Sequence, residues 1–174
     1  PYNKGIISIF HPWESGRDNS PDWDEALNNI EFDDSIKIDR KDNDLIKDEL
    51  RPTDEDYNKY IQILYNCKKH NWDSKKIYEK GLFNVCDPGV QFIFLRSCKD
   101  LYKLAIYLNK TSYIDQIERW IENYSFGSDF LWNCKTNSYS TLDLKTNSNT
   151  KVLNKLSNIK IKYLGDYLLP RKYR

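Results

Sequence analysis

Asp87 to Leu108 carries the longest helical pattern in the chain. Asp87 is a good N-cap. Pro88 suits the first turn, because the N–H it lacks is one that a helix start cannot use. Val90, Ile93, Phe94, Cys98, Leu101, Leu104, Ala105 and Leu108 then recur three and four residues apart. That spacing predicts a core-facing stripe and not a cofactor box. Thr53, followed by acids at 54–56, opens a second helix to about His70, with Tyr57, Tyr60, Ile61, Leu64 and Tyr65 on one face. A short helix from about Asp73 to Lys80 closes on Gly81 at C′. Ser112 is the expected cap of another, carrying Tyr113, Ile114, Ile117, Trp120, Ile121 and Tyr124. The expected class is all-α with one small β-hairpin. Its arms are Leu131-Trp132-Asn133 and Tyr139 to Leu144, with the turn at Lys135 to Ser138.

Gly5 to Phe10 is a short apolar run, for which strand and helix are both open. Glu31 to Arg51 loses helical pattern and reads as a long loop, a feature uncommon without a function. After Lys145 the chain turns polar, rich in Asn, Ser, Thr and Lys.

The 174 residues carry a net charge of +1, which implies no broad basic face for nucleic acid. Cys67, Cys86, Cys98 and Cys134 form no CxxC pair, which argues against a zinc site or a disulfide scaffold. Free thiols in a reducing, cytoplasmic compartment are the expectation. No apolar run is long enough to span a membrane. There is no methionine, and the chain opens at Pro1 in what reads as mid-element. An internal piece of a longer protein, or a remnant of one, is therefore expected.

The chemistry concentrates in His11-Pro12-Trp13-Glu14-Ser15-Gly16-Arg17-Asp18-Asn19-Ser20-Pro21-Asp22-Trp23-Asp24. Ser20 and Pro21 read as a helix start, to about Asn28, with Asp22 and Asp24 at the positive end of its dipole. For those two acids, capping and chemistry both stay open. Glu14 and Asp18 precede the cap, in a loop shaped by Pro12 and Gly16. An aromatic wall, carboxylates and an arginine in one loop suit sugar chemistry.

His-Pro-Trp-Glu-Ser-Gly-Arg-Asp-Asn-Ser-Pro at 11–21 closely resembles the signature of the mannosylglycerate and glucosylglycerate hydrolases of the glycoside hydrolase family 63 group. Arg51-Pro52-Thr53-Asp54-Glu55, Asp87-Pro88, Asp100-Leu101-Tyr102-Lys103-Leu104-Ala105 and the Leu-Trp … Tyr … Asp-Leu segment near 131–144 extend the likeness over roughly residues 6–144. The resemblance implies part of an (α/α)6 toroid, with the end of a helix at Gly5–Phe10 feeding the motif loop. Residues 1–144 would be a fragment of the catalytic domain, and 145–174 a polar, basic tail or the start of a further helix. It also implies inversion at the anomeric carbon, with Asp18 as general acid and Trp13 and Gly16 as substrate contacts. Arg51 is the candidate for holding a glycerate carboxylate, with Arg40 and Arg17 behind it. Glu14 and Asn19, in the same loop, complete the substrate-binding candidates. No metal or cofactor is implied.

An inverting hydrolase needs a protonated acid on one side of the scissile bond and a carboxylate base roughly 6.5–9.5 Å away. An apolar wall, here expected from Trp13 and Trp23, favours the protonated form of a carboxyl group. The family's base is a glutamate in the last third of the toroid, inside a motif rich in Trp, Asn and Gly-Pro-Val. That motif is missing from this sequence. Glu14 sits too close along the loop to reach the opposite sugar face. An incomplete hydrolase is expected, inactive alone, of the kind that acts on a small glycoside such as glucosylglycerate or mannosylglycerate; a truncated gene product, a chain completed by a second chain that supplies the rest of the toroid, and part of a longer enzyme all stay open. A non-catalytic sugar- or protein-binding helical module, or a fragment of a trehalase-like or debranching α-glucosidase, stays open beside it.

Overall fold

The computed structural model describes residues 5–36, 38, 40 and 52–149. It is mostly helical. A 3₁₀ turn at Pro21–Trp23 runs into α1 (Asp24–Asn28), and α2 (Asp54–Lys69), α3 (Ser74–Lys80), α4 (Pro88–Tyr107) and α5 (Ile114–Ser128) follow. The strands are only two residues long: β1 (Ser8–Ile9), β2 (Val85–Cys86), β3 (Trp132–Asn133), β4 (Ser138–Tyr139), β5 (Leu142–Asp143) and β6 (Ser148–Asn149). Among the described residues no helix is long and apolar enough to cross a membrane.

Local chemistry explains the helix starts. Thr53 Oγ1 accepts from the Asp56 amide at 3.1 Å while Asp56 Oδ2 accepts from the Thr53 amide, a capping box. Asp73 accepts from the Lys76 amide and Asp87 from the Val90 amide, each at its own cap. At the helix ends one expectation fails, and another, the close of α3 on Gly81, holds in position but not in conformation. Ser112 caps nothing, because a 3₁₀ turn at Thr111–Tyr113 leads into α5 with no side-chain cap. Gly81 is extended, at φ −63°, and not left-handed. Its requirement is space: an added Cβ would collide with the Ile77 carbonyl.

Gly5–Phe10 does not end a helix. β1 pairs antiparallel with β2, which pairs with β5, which pairs with β6. The expected hairpin is real but shorter. Trp132–Asn133 pairs with Ser138–Tyr139, while Leu142–Asp143 leaves it to join the larger sheet. β5 and β6 form a second hairpin whose turn repeats the first. Lys135 and Lys145 amides bond the Asn133 and Asp143 side chains, and Asn137 and Asn147 both take φ near +50°.

The main core joins Ile9, Trp23, Leu27, Ile30, Tyr60, Ile63, Phe83 and Val85. A smaller one holds Ile6, Cys86 and Leu131. Gln91, fully buried in the first turns of α4, links the parts. Its amide donates to the Gly5 and Tyr124 carbonyls at 2.9 and 2.8 Å, and its oxygen accepts from the Ile7 amide at 2.9 Å. α4 and α5 form an antiparallel hairpin, with Phe94 edge-on to Tyr124 at 4.7 Å and Tyr102 donating to Glu118. The α4 stripe divides in an unexpected way. Leu95, Cys98 and Ala105 are buried with Gln91, whereas Ile93, Leu101, Leu104 and Leu108 face outward.

Candidate functional site

The motif loop is irregular yet pinned throughout. It opens with a 3₁₀ turn at Pro12–Ser15, capped by His11. The buried His11 ring accepts from the Trp13 amide at Nδ1 and donates from Nε2 to the Tyr60 carbonyl, both at 3.1 Å. Those two roles require the neutral ring protonated on Nε2. Burial lowers the His11 pKa, opposed by the bond to the Tyr60 carbonyl. Glu14 Oε2 accepts from the Phe10 amide at 2.7 Å, which ties the loop to the end of β1. Ser15 Oγ donates to the Pro12 carbonyl and accepts from the Arg17 amide. Gly16 then turns the chain at φ +68° with open space where a Cβ would lie, so backbone conformation alone selects glycine.

Arg17 is used internally. Its guanidinium bonds Asp22 at 3.0 Å and the buried Asp87 at 2.7 Å, and lies over the Trp23 ring at 5.2 Å. Asp87 therefore has two roles, as α4 cap and as anchor of the loop. Arg40 is also engaged, with Asp54 and the Pro52 carbonyl, both at 2.8 Å, and its guanidinium lies over Tyr57. Arg51 lies outside the described residues. Trp23 is wholly buried and donates its indole N–H to the Arg17 carbonyl at 2.7 Å. It is a core anchor and no wall of the site.

Asp18 is half-buried at the centre of this network. Its main chain is fixed, since Tyr60 Oη donates to its carbonyl at 2.6 Å. Its side chain is not. Glu14 is bonded to the Phe10 amide and Asp22 to Arg17 and Ser20, whereas among the described residues no hydrogen bond or ion pair engages the Asp18 carboxylate. Trp13 stands 41% exposed on an aromatic cluster, with ring centroids 4.5 Å from His11, 6.0 Å from Tyr60 and 6.2 Å from Tyr57. Asn19 is exposed. A separate groove of about 600 Å³ is lined by Phe32, Ile36, Ile38, Arg40, Asp54, Glu55 and Asn58, and touches neither Asp18 nor Trp13. Among the described residues no cluster of three His, Cys, Asp or Glu side chains could hold a metal.

Tyr60 was legible only as one residue of an apolar face, and Asp87 only as a cap. Nothing along the sequence announces that either reaches the loop, because their partners lie 42 and 70 residues away.

Residues 1–160 match the family described as the mannosylglycerate hydrolase MGH1-like glycoside hydrolase domain. The chain belongs to that family. It is 38% identical over 144 residues to a mannosylglycerate hydrolase of Thermus thermophilus, a match that takes in 83% of this chain and 34% of the relative. It is 31% identical over 126 residues to a glucosylglycerate hydrolase of Mycolicibacterium hassiacum, with 71% and 28% covered. The crystal structure of a GH63 mannosylglycerate hydrolase from Thermus thermophilus, in complex with Tris and D-glycerate, superposes at a TM-score of 0.81 and 35% identity. That superposition covers 86% of this chain and 36% of the other. The same enzyme with glucose gives 0.78. The chain thus spans about a third of the length of the relatives it matches, and its fold is a partial segment of their (α/α)6 toroid.

Proposed function

We propose that this family member is the acid-bearing segment, residues 1–144, of an inverting α-glycoside hydrolase for a small glycoside such as mannosylglycerate or glucosylglycerate. Asp18 is the general acid. Its proton passes to the glycosidic oxygen as the bond to the anomeric carbon breaks. A water molecule adds to that carbon from the opposite face and gives its proton to a carboxylate base. That base is a residue of the remaining toroid, supplied by a second chain or by the rest of a longer one. Trp13 is the stacking surface for the sugar, Gly16 and Asn19 are contacts at the loop tip, and Glu14 shapes the loop through Phe10. Arg51 is the partner for the glycerate carboxylate, which a guanidinium fork matches in shape and charge.

The observation that carries this reading is the Asp18 carboxylate, unengaged among the described residues beside a loop whose other carboxylates are bonded. The test has two stages. Calorimetric titration of the chain with mannosylglycerate and glucosylglycerate should give weak binding that Trp13→Ala removes. A glycosidase assay should then find hydrolysis only when a chain supplying the rest of the toroid is added, and none with Asp18→Asn. No heat with either glycoside at millimolar concentration rejects the reading. Binding without hydrolysis in the completed assembly supports the second reading, a sugar-binding module.

A further inference from the structure

Tyr60 touches the candidate site three times, and each contact uses a different part of the residue. Its hydroxyl donates to the Asp18 carbonyl at 2.6 Å. Its main-chain carbonyl accepts from His11 Nε2 at 3.1 Å. Its ring meets Trp13 edge-on at 6.0 Å and His11 at 5.7 Å. The residue is 2% exposed in the middle of α2, the best-capped helix next to the loop. Burial pushes the phenol pKa up, and Asp56, Asp18 and Asp24 add to that rise, so the hydroxyl stays a donor.

The geometry matters because the motif is otherwise a single short loop. Trp13 and Asp18 lie on opposite sides of the left-handed turn at Gly16, and nothing within the loop joins them directly. Both are held instead by one residue of a rigid helix. We infer that Tyr60 is a positioning residue. It fixes the separation between the sugar-stacking ring of Trp13 and the proton-donating carboxyl of Asp18, so that a glycoside seated on the first presents its bridging oxygen to the second. Positioning of this kind matters because small misplacements of a reacting group are costly in rate. The inference rests on the site reading proposed above.

Carboxyl-carbon NMR of the full chain, labelled at aspartate, tests it together with the Trp indole resonances, titrated with mannosylglycerate. In the unaltered chain both the Asp18 carboxyl and the Trp13 indole should shift. In Tyr60→Phe the ring packing stays and only the hydroxyl is lost. The Trp13 shift should persist while the Asp18 shift disappears. A general loss of structure would move both, so this split separates positioning from mere folding. An unchanged Asp18 shift in Tyr60→Phe overturns the inference. If Tyr60→Phe fails to fold, 3-fluorotyrosine at position 60 takes its place, since it keeps the ring and the donor. Its fluorine resonance should then move on ligand addition, and a silent fluorine overturns the inference. No shift at either Trp13 or Asp18 in the unaltered chain sinks the site reading itself, and the inference with it.

Discussion

Between His11 and Asp24 the backbone follows no regular element for long, yet the loop is stitched to β1, α2 and α4 by bonds from Glu14, Tyr60 and Asp87. Along α4 and α5 the backbone is regular for turn after turn, yet Ile93, Leu101, Leu104, Leu108, Trp120 and Phe126 face outward. The irregular region is internally complete and the regular one is not. A toroid explains the difference. Its helices are finished by neighbours on both sides, at roughly 25 cal/mol for each Å² of apolar surface covered. The loop is finished by residues within this segment. The open apolar surface of the described residues therefore lies along α4 and α5 and, Trp13 apart, not at the motif loop.

The sharpest way to break the contrast is Trp23→Ala. It removes the buried ring that carries Arg17 and holds the Arg17 carbonyl, and should lower stability by about 3–5 kcal/mol in urea unfolding. Next comes Asp87→Ala, which deletes a helix cap and takes from the Arg17 guanidinium the more buried of its two carboxylate partners. A loss of about 3 kcal/mol is expected, with the loop amides exchanging faster by hydrogen exchange. Acidification should act more mildly. The pKa of His11 is lowered in the folded chain, so the unfolded chain binds the extra proton first. Stability is full above the ordinary histidine pKa and is lost as pH falls through it. The melting temperature should drop between pH 7 and pH 5, and His11→Gln should flatten that dependence. The smallest effect belongs to the open faces. Leu104→Lys or Ile93→Lys should change the stability of the chain alone by no more than about 0.5 kcal/mol, and should weaken its assembly with any completing chain.

What could be read from sequence follows the range of the interactions. Thr53 with Asp56, and Asp87 with Pro88, act within a few residues, and both helix starts lie where they were expected. Two-residue strands show no alternation, so β1 and β2 left only an ambiguous apolar run and a helix approach. The α4 stripe marked a helix correctly but not which side of it faces the core. Periodicity names an apolar face and says nothing of what covers it. In the site, the loop residues stood out by their composition. The double use of Asp87 and the triple use of Tyr60 did not, since one is a cap and the other a tyrosine among thirteen.

Gln91 carries a consequence for biosynthesis. Its amide reaches back to the Gly5 carbonyl and the Ile7 amide, 86 and 84 residues earlier in the chain. Arg17 waits in the same way for Asp87. The motif loop leaves the ribosome long before Asp87 and Gln91, and such distant closures are slow. Until Asp87 and Gln91 have been translated and α4 has folded, Arg17, Gly5 and Ile7 are without these partners, so a pause in synthesis just before residue 87 is where aggregation, or capture by a chaperone, would concentrate.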